Sequence, residues 1–99
     1  MIARIWRGVT SADDAESYRE YLQQTGVKEY KATDGNRGVF VLQKIENGKA
    51  EFMLLSLWES YEAIKRFAGE KYEEAVFYQE DERYLIQKDL QVTHYTVVL

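Results

Sequence analysis

Residues Arg37 to Trp58 read RGVFVLQKIENGKAEFMLLSLW, and this stretch decides the fold. Two runs rich in β-branched and aromatic residues, Arg37 to Ile45 and Ala50 to Trp58, flank Glu46-Asn47-Gly48-Lys49. Asn and Gly both tolerate positive φ, so the pair predicts a tight two-residue hairpin between antiparallel strands. Alternation then assigns the faces. Val39, Val41 and Ile45 share one side of the first strand, with Phe40 and Leu42 on the other; on the second, Phe52, Leu54 and Trp58 oppose Met53, Leu55 and Leu57. An antiparallel sheet with one wet face alternates cleanly between apolar and polar residues. This hairpin is apolar on both sides.

Upstream, Ile2 to Val9 reads as a first strand, stopping at Thr10-Ser11. Ser11 and Asp14 form a capping-box-like helix start, and Ala15, Tyr18, Leu22 and Thr25 follow at the spacing of one helical stripe. Gly26 supplies the stop, Val27 to Thr33 is a short extra turn or loop, and Asp34-Gly35-Asn36 is turn chemistry. Downstream, Ser60 caps a second helix with Ala63, Ile64, Phe67 and Ala68 on one face, ending near Gly69. Lys71 to Tyr78 reads as a further helical piece, Gln79 to Arg83 as a charged, solvated loop, and Tyr84-Leu85-Ile86 as a brief extended segment. Val92 to Leu99 closes as a strand.

The order strand, helix, strand, strand, helix, strand predicts an α+β, ferredoxin-like βαββαβ domain over residues 1–99. It has a four-stranded antiparallel sheet with both helices on one face. Two short helices cannot bury both apolar faces. Leaving about six large side chains wet forgoes roughly 1.5–3 kcal/mol each, and such a patch marks an interface. A second copy presenting the same face is the common solution, so we expect a homodimer through the sheet face opposite the helices, closing a barrel.

Composition removes other classes. The chain has 99 residues, 13 Lys plus Arg against 17 Asp plus Glu, one His and no Cys. A net charge of −4 offers no basic stripe for nucleic acid. Disulfides, thiolate nucleophiles and Cys-based metal sites are excluded, and one His cannot build a multi-histidine site within one chain. The Glu80-Asp81-Glu82 run lacks calcium-loop spacing, and Gly35-Asn36-Arg37-Gly38 precedes a strand, not the helix a phosphate cradle needs. Apolar runs such as Val39 to Leu42 are too short to span a bilayer, and charges interrupt Met1 to Arg7 where a signal peptide would be apolar. No metal, cofactor, nucleic acid or membrane is expected, and the cytoplasm is the expected location.

The pattern resembles the antibiotic biosynthesis monooxygenase family of the dimeric α/β barrel superfamily. The stretches that carry it are Met1 to Trp6, Gly35 to Leu42, and Leu55-Ser56-Leu57-Trp58-Glu59-Ser60-Tyr61-Glu62-Ala63-Ile64 continuing to Phe67-Ala68-Gly69. The resemblance spans nearly the whole chain. It implies the barrel, and the family includes cofactor-free oxygenases of polycyclic phenols, haem-degrading enzymes and many small proteins of no known activity. The haem-degrading branch has an Asn on the first strand and a His about ten residues beyond the Trp; here Arg4, Trp6 and Arg7 occupy that strand and no His lies near Ala68. The phenol-oxygenating branch has an Asn upstream of the Trp on the same face, where this chain has Leu54. Trp58 alone carries across.

Three residues are candidate catalytic groups. Trp58 ends a strand where a pocket wall often stands, and could stack a flat aromatic ligand or serve simply as core. His94 titrates near neutrality and could ionise a phenol, or be a hydrogen-bonded interface histidine. Arg83 could steady an enolate, phenolate or carboxylate, or pair with Glu80 or Glu82 at the surface. Tyr72, Tyr78 and Tyr84 are candidate substrate-binding residues, clustered in the segment after the second helix. The expected function is a cofactor-independent monooxygenase of small phenolic, polyketide-like substrates. The alternatives are a non-oxidative isomerase or cyclase on the same barrel, and a non-catalytic dimeric protein that binds a small molecule or a partner.

Overall fold

The computed structural model describes residues 1–99. Strands β1 (Ile2–Ser11), β2 (Asn36–Glu46) and β3 (Lys49–Trp58) are long, and β4 (Gln87–Lys88) and β5 (Thr93–Thr96) are short. Helices α1 (Ala15–Gln24), α2 (Gly26–Ala32), α3 (Tyr61–Ala68) and α4 (Asp81–Tyr84) complete the chain. The antiparallel sheet runs β2-β3-β1-β4, with β5 also on the outer edge of β1. This is the ferredoxin-like order, with its last strand delivered in two pieces. No helix is long and apolar enough to cross a membrane.

The hairpin forms as its turn chemistry dictates. Glu46 pairs with Lys49, and Asn47 (φ 52) and Gly48 (φ 74) both take left-handed backbone. Ile2, Arg4, Trp6 and Thr10 of β1 and Ala50, Phe52, Leu54, Ser56 and Trp58 of β3 are buried beneath the helices. Tyr18 and Leu22 of α1, Val27 and Tyr30 of α2, and Ala63 and Ile64 of α3 pack onto them. Ser60 accepts from the Ala63 backbone N–H at 3.2 Å, as the cap at the start of α3 requires.

The opposite face carries the other half of the apolar alternation. Ile5, Leu55 and Phe40 lie side by side across β1, β3 and β2. Phe40 is 56% exposed, Leu42 46% and Tyr95 58%, and nothing in the protomer covers them.

Several local expectations are corrected. Ser11 makes no side-chain cap; the chain passes through a 3-10 turn at Ala12–Asp14, whose Ala12 N–H is taken by the Gly48 carbonyl. Val27 to Thr33 is not a loop, because α2 starts at Gly26 and buries Val27 and Tyr30. Lys71 to Tyr78 is not helical: Glu74 bridges to Gln91, and the Ala75 and Val92 N–H groups bond to the Leu90 and Glu73 carbonyls. Tyr84 ends α4 instead of opening an extended segment, and the closing strand is confined to Thr93–Thr96. Four residues, 89–92, stand opposite two, Trp6 and Arg7, and this excess swings out to meet the 73–75 segment.

Gly8 is where that arrangement is tightest. A Cβ there would run into the Trp6 indole and Leu85. Gly8→Ala is therefore expected to destabilise the fold by about 1–3 kcal/mol through overpacking, read as a lower urea midpoint with the slope unchanged.

Candidate functional site

The sheet and the helical layer enclose a small cavity. Arg4, Trp6 and Leu54 line it from the sheet, Tyr18 and Leu22 from α1, and Tyr30 from α2; Tyr78, Asp81 and Val92 close one side. Its volume is about 20 Å³, room for a water molecule. A larger depression of about 570 Å³ between α1 and β2 is open to solvent and touches none of the candidate residues.

Arg4 dominates the electrostatics. It is only 2% exposed, because its position on β1 points it under the helices between Ile2 and Trp6. Nη1 donates to the Tyr72 carbonyl at 2.5 Å and to Nε2 of His94 at 3.1 Å, and Nη2 donates to the Glu74 carbonyl at 3.2 Å. The guanidinium stands 5.8 Å from the centre of the Phe67 ring, and Nε has no acceptor. A guanidinium has only donors, so Nε2 of His94 is the acceptor and its proton sits on Nδ1. Burial, and then the Arg4 charge, hold His94 below its ordinary value near 6.5.

Asp81 is the cavity's carboxylate. Its Oδ1 accepts from the buried Tyr18 hydroxyl at 3.0 Å and its Oδ2 from the Tyr78 backbone N–H at 2.6 Å. Burial, reinforced by Asp81, pushes the Tyr18 phenol up. Burial also raises Tyr30, against the opposing pull of Arg4, and raises Tyr78, whose hydroxyl donates to Glu29. All three phenols are therefore protonated donors at neutral pH.

The sequence-predicted residues fall into three places. His94 touches the cavity only through Arg4, and Tyr72 packs with Tyr61 against the His94 ring, 5.5 Å between the Tyr72 and His94 centres. Trp58 is fully buried; its indole N–H donates to Ser56 Oγ at 2.9 Å, Phe67 stacks on it, and its ring meets Tyr30 edge-on at 5.9 Å. Tyr78 lines the cavity, and Tyr84 packs against Tyr18 and Tyr21 nearby. Arg83 lies outside, exposed, bonded to Glu80 at 2.9 Å. No cluster of three His, Asp or Glu stands ready for a metal ion.

Arg4, Tyr18, Tyr30 and Asp81 are the polar cavity residues that sequence reasoning missed. Asp81 corrects the reading of 80–82 as a solvated turn, since it is 5% exposed and carries two hydrogen bonds. The available signal for Arg4 was alternation: it shares a strand face with Ile2 and Trp6.

The His94 environment fixes a pH response. Its folded value lies below its unfolded one, so the unfolded chain binds the proton more readily. Its contribution therefore holds above about pH 6.5 and is lost as pH falls through the folded value. The urea midpoint of the wild type is expected to fall more between pH 7.5 and 5 than that of His94→Gln. Equal falls would remove His94 from the account.

The fold is that of the antibiotic biosynthesis monooxygenase proteins. The chain superposes on a provisionally named antibiotic biosynthesis monooxygenase from Nitrosomonas europaea with a TM-score of 0.68, at 14% identity over 100% of both chains. A second such protein, from Bacillus cereus, gives 0.65 at 20% identity, over 97% of this chain and 91% of that one. The haem degrader MhuD from Mycobacterium tuberculosis, solved with two haems in its active site, gives 0.66 at 16% identity over 100% of this chain and 97% of its own. No protein-family model and no curated protein matches the sequence.

Proposed function

We propose that this chain is a cofactor-independent monooxygenase of small phenolic substrates, working between sheet and helices in each half of a homodimer. The observation that carries it is the convergence of Arg4, Tyr30 and the Tyr18–Asp81 pair on an otherwise apolar cavity of the oxygenase fold. Arg4 and the Tyr30 hydroxyl are the donors that face the substrate's negative charge. The phenol gives its proton to solvent, and the phenolate passes one electron to dioxygen. Radical and superoxide join at a ring carbon that bears hydrogen, the resulting peroxide anion takes a proton from solvent, and loss of water across that carbon leaves a carbonyl. Dry walls protect the radical pair.

His94 and Trp58 act as positioning residues, His94 on Arg4 and Trp58 on Tyr30. Tyr72 and Tyr84 brace the walls, and Tyr78 lines the substrate space. Arg83 has no part in this scheme. A phenol is larger than the cavity, so admission displaces the 73–92 wall, whose one helix is the four residues of α4. The chain's one His presents Nε2 to Arg4 and so offers no free axial nitrogen to haem, which MhuD binds.

The exposed apolar face of the sheet supports the dimer in this reading. Oxygen uptake with an anthrone-like phenol tests the reaction: wild type is expected to consume one dioxygen per quinone formed, and Arg4→Gln to lose most of the rate. Absence of uptake across phenols that demonstrably bind would reject it. The tightness of the cavity favours one second reading, a dimeric interaction protein without turnover. Product formation that persists without oxygen would indicate an isomerase or cyclase.

A further inference from the structure

Arg4 carries a full positive charge into the protein interior and meets no negative one. Its acceptors are two backbone carbonyls and a neutral imidazole. The three salt bridges of the protomer lie elsewhere, at Arg37, Lys65 and Arg83. Asp81 shares the cavity but spends its oxygens on Tyr18 and the Tyr78 backbone. Tyr30 sits beside the guanidinium, yet burial keeps its phenol protonated, so it supplies a dipole and not a charge. Carbonyl dipoles and the Phe67 ring face soften the cost of burying the guanidinium. They leave its charge uncancelled, and buried charges are ordinarily paired.

The unused Nε–H sharpens this. It belongs to a side chain 2% exposed that lines the cavity, and it has no partner. We infer that the ligand brings the missing charge: a planar carboxylate whose oxygens take the Arg4 Nε–H and the Tyr30 hydroxyl, its flat body lying toward Trp6. This deepens the proposed site by naming the substrate class as an aromatic or enolic acid, which arrives at Arg4 already charged. It shares with the oxygenase reading the cavity and the displacement of the 73–92 wall that an aromatic ligand requires, but needs none of its chemistry.

Calorimetric titration under nitrogen tests it, using benzoate and 2-hydroxybenzoate against benzamide and 2-hydroxybenzamide. Charge-assisted hydrogen bonds predict that each acid binds the wild type roughly 10- to 100-fold tighter than its amide. Arg4→Met is expected to erase that preference. Equal affinity for acid and amide in the wild type overturns the inference whatever the variant does, as does no binding of either acid. A preference surviving in folded Arg4→Met also overturns it. Because no oxygen is present, an acid preference with no oxygen uptake in air would sink the oxygenase reading and leave this one standing; uptake without an acid preference would do the reverse.

Discussion

Leu55→Glu is expected to break the proposed homodimer into monomers. Leu55 lies at the middle of the uncovered sheet face, with Ile5 beside it on β1 and Phe40 on β2. In a two-fold dimer each substitution acts twice, and two carboxylates meet in an apolar interface. Burying an unpaired charge costs several kcal/mol, so the dissociation constant should rise about 1,000-fold or more. Sedimentation equilibrium checks this, with wild type at twice the chain mass and the variant at one. The same glutamate relieves exposed apolar surface in the separated chain, so a folded monomer is the expected product. A wild type that sediments as a monomer at micromolar concentration would refute the interface.

Asp81→Ala is expected to loosen the cavity wall. The change strands the Tyr18 hydroxyl, which is fully buried, and the Tyr78 backbone N–H. Each orphaned donor costs about 1–3 kcal/mol, so a loss of about 2–6 kcal/mol is expected. The effect should be local first. Tyr78 OH to Glu29 and Glu80 N–H to Tyr21 OH are the remaining polar ties of this segment to α1 and α2, and both are exposed. Hydrogen exchange across 73–92 should accelerate well before that of β1 and β3. Uniform acceleration over the whole chain would mean that Asp81 supports the global fold and not the wall.

These two sites differ in how far the sequence disclosed them. The sheet face was legible because strand alternation is local: Phe40, Leu42, Met53, Leu55 and Leu57 declare their side by position alone. The Asn47-Gly48 turn and the Ser60 cap were legible for the same reason, each being chemistry within four residues. Asp81 was not, since Glu80 and Glu82 beside it make the run look solvated. Its burial is decided by Tyr18, sixty-three residues away. The split of the last strand was hidden likewise, because residues 90–92 leave the sheet to pair with 73–75, a contact without local signature. His94 and Arg83 were chosen for their chemistry, and the register of β5 on β1 then decided between them. It sets His94 opposite Arg4, while Arg83 rides on the outer surface of α4.

The cavity at Arg4 is the centre of the account, and the Nε–H resonance of Arg4 reports on it directly. Titrating nitrogen-15-labelled protein with 2-hydroxybenzoate should shift that resonance saturably, together with the backbone signals of Tyr30 and Tyr78. A saturable response confined to Arg83 or to the outer face of the sheet, with Arg4 unmoved, would contradict it.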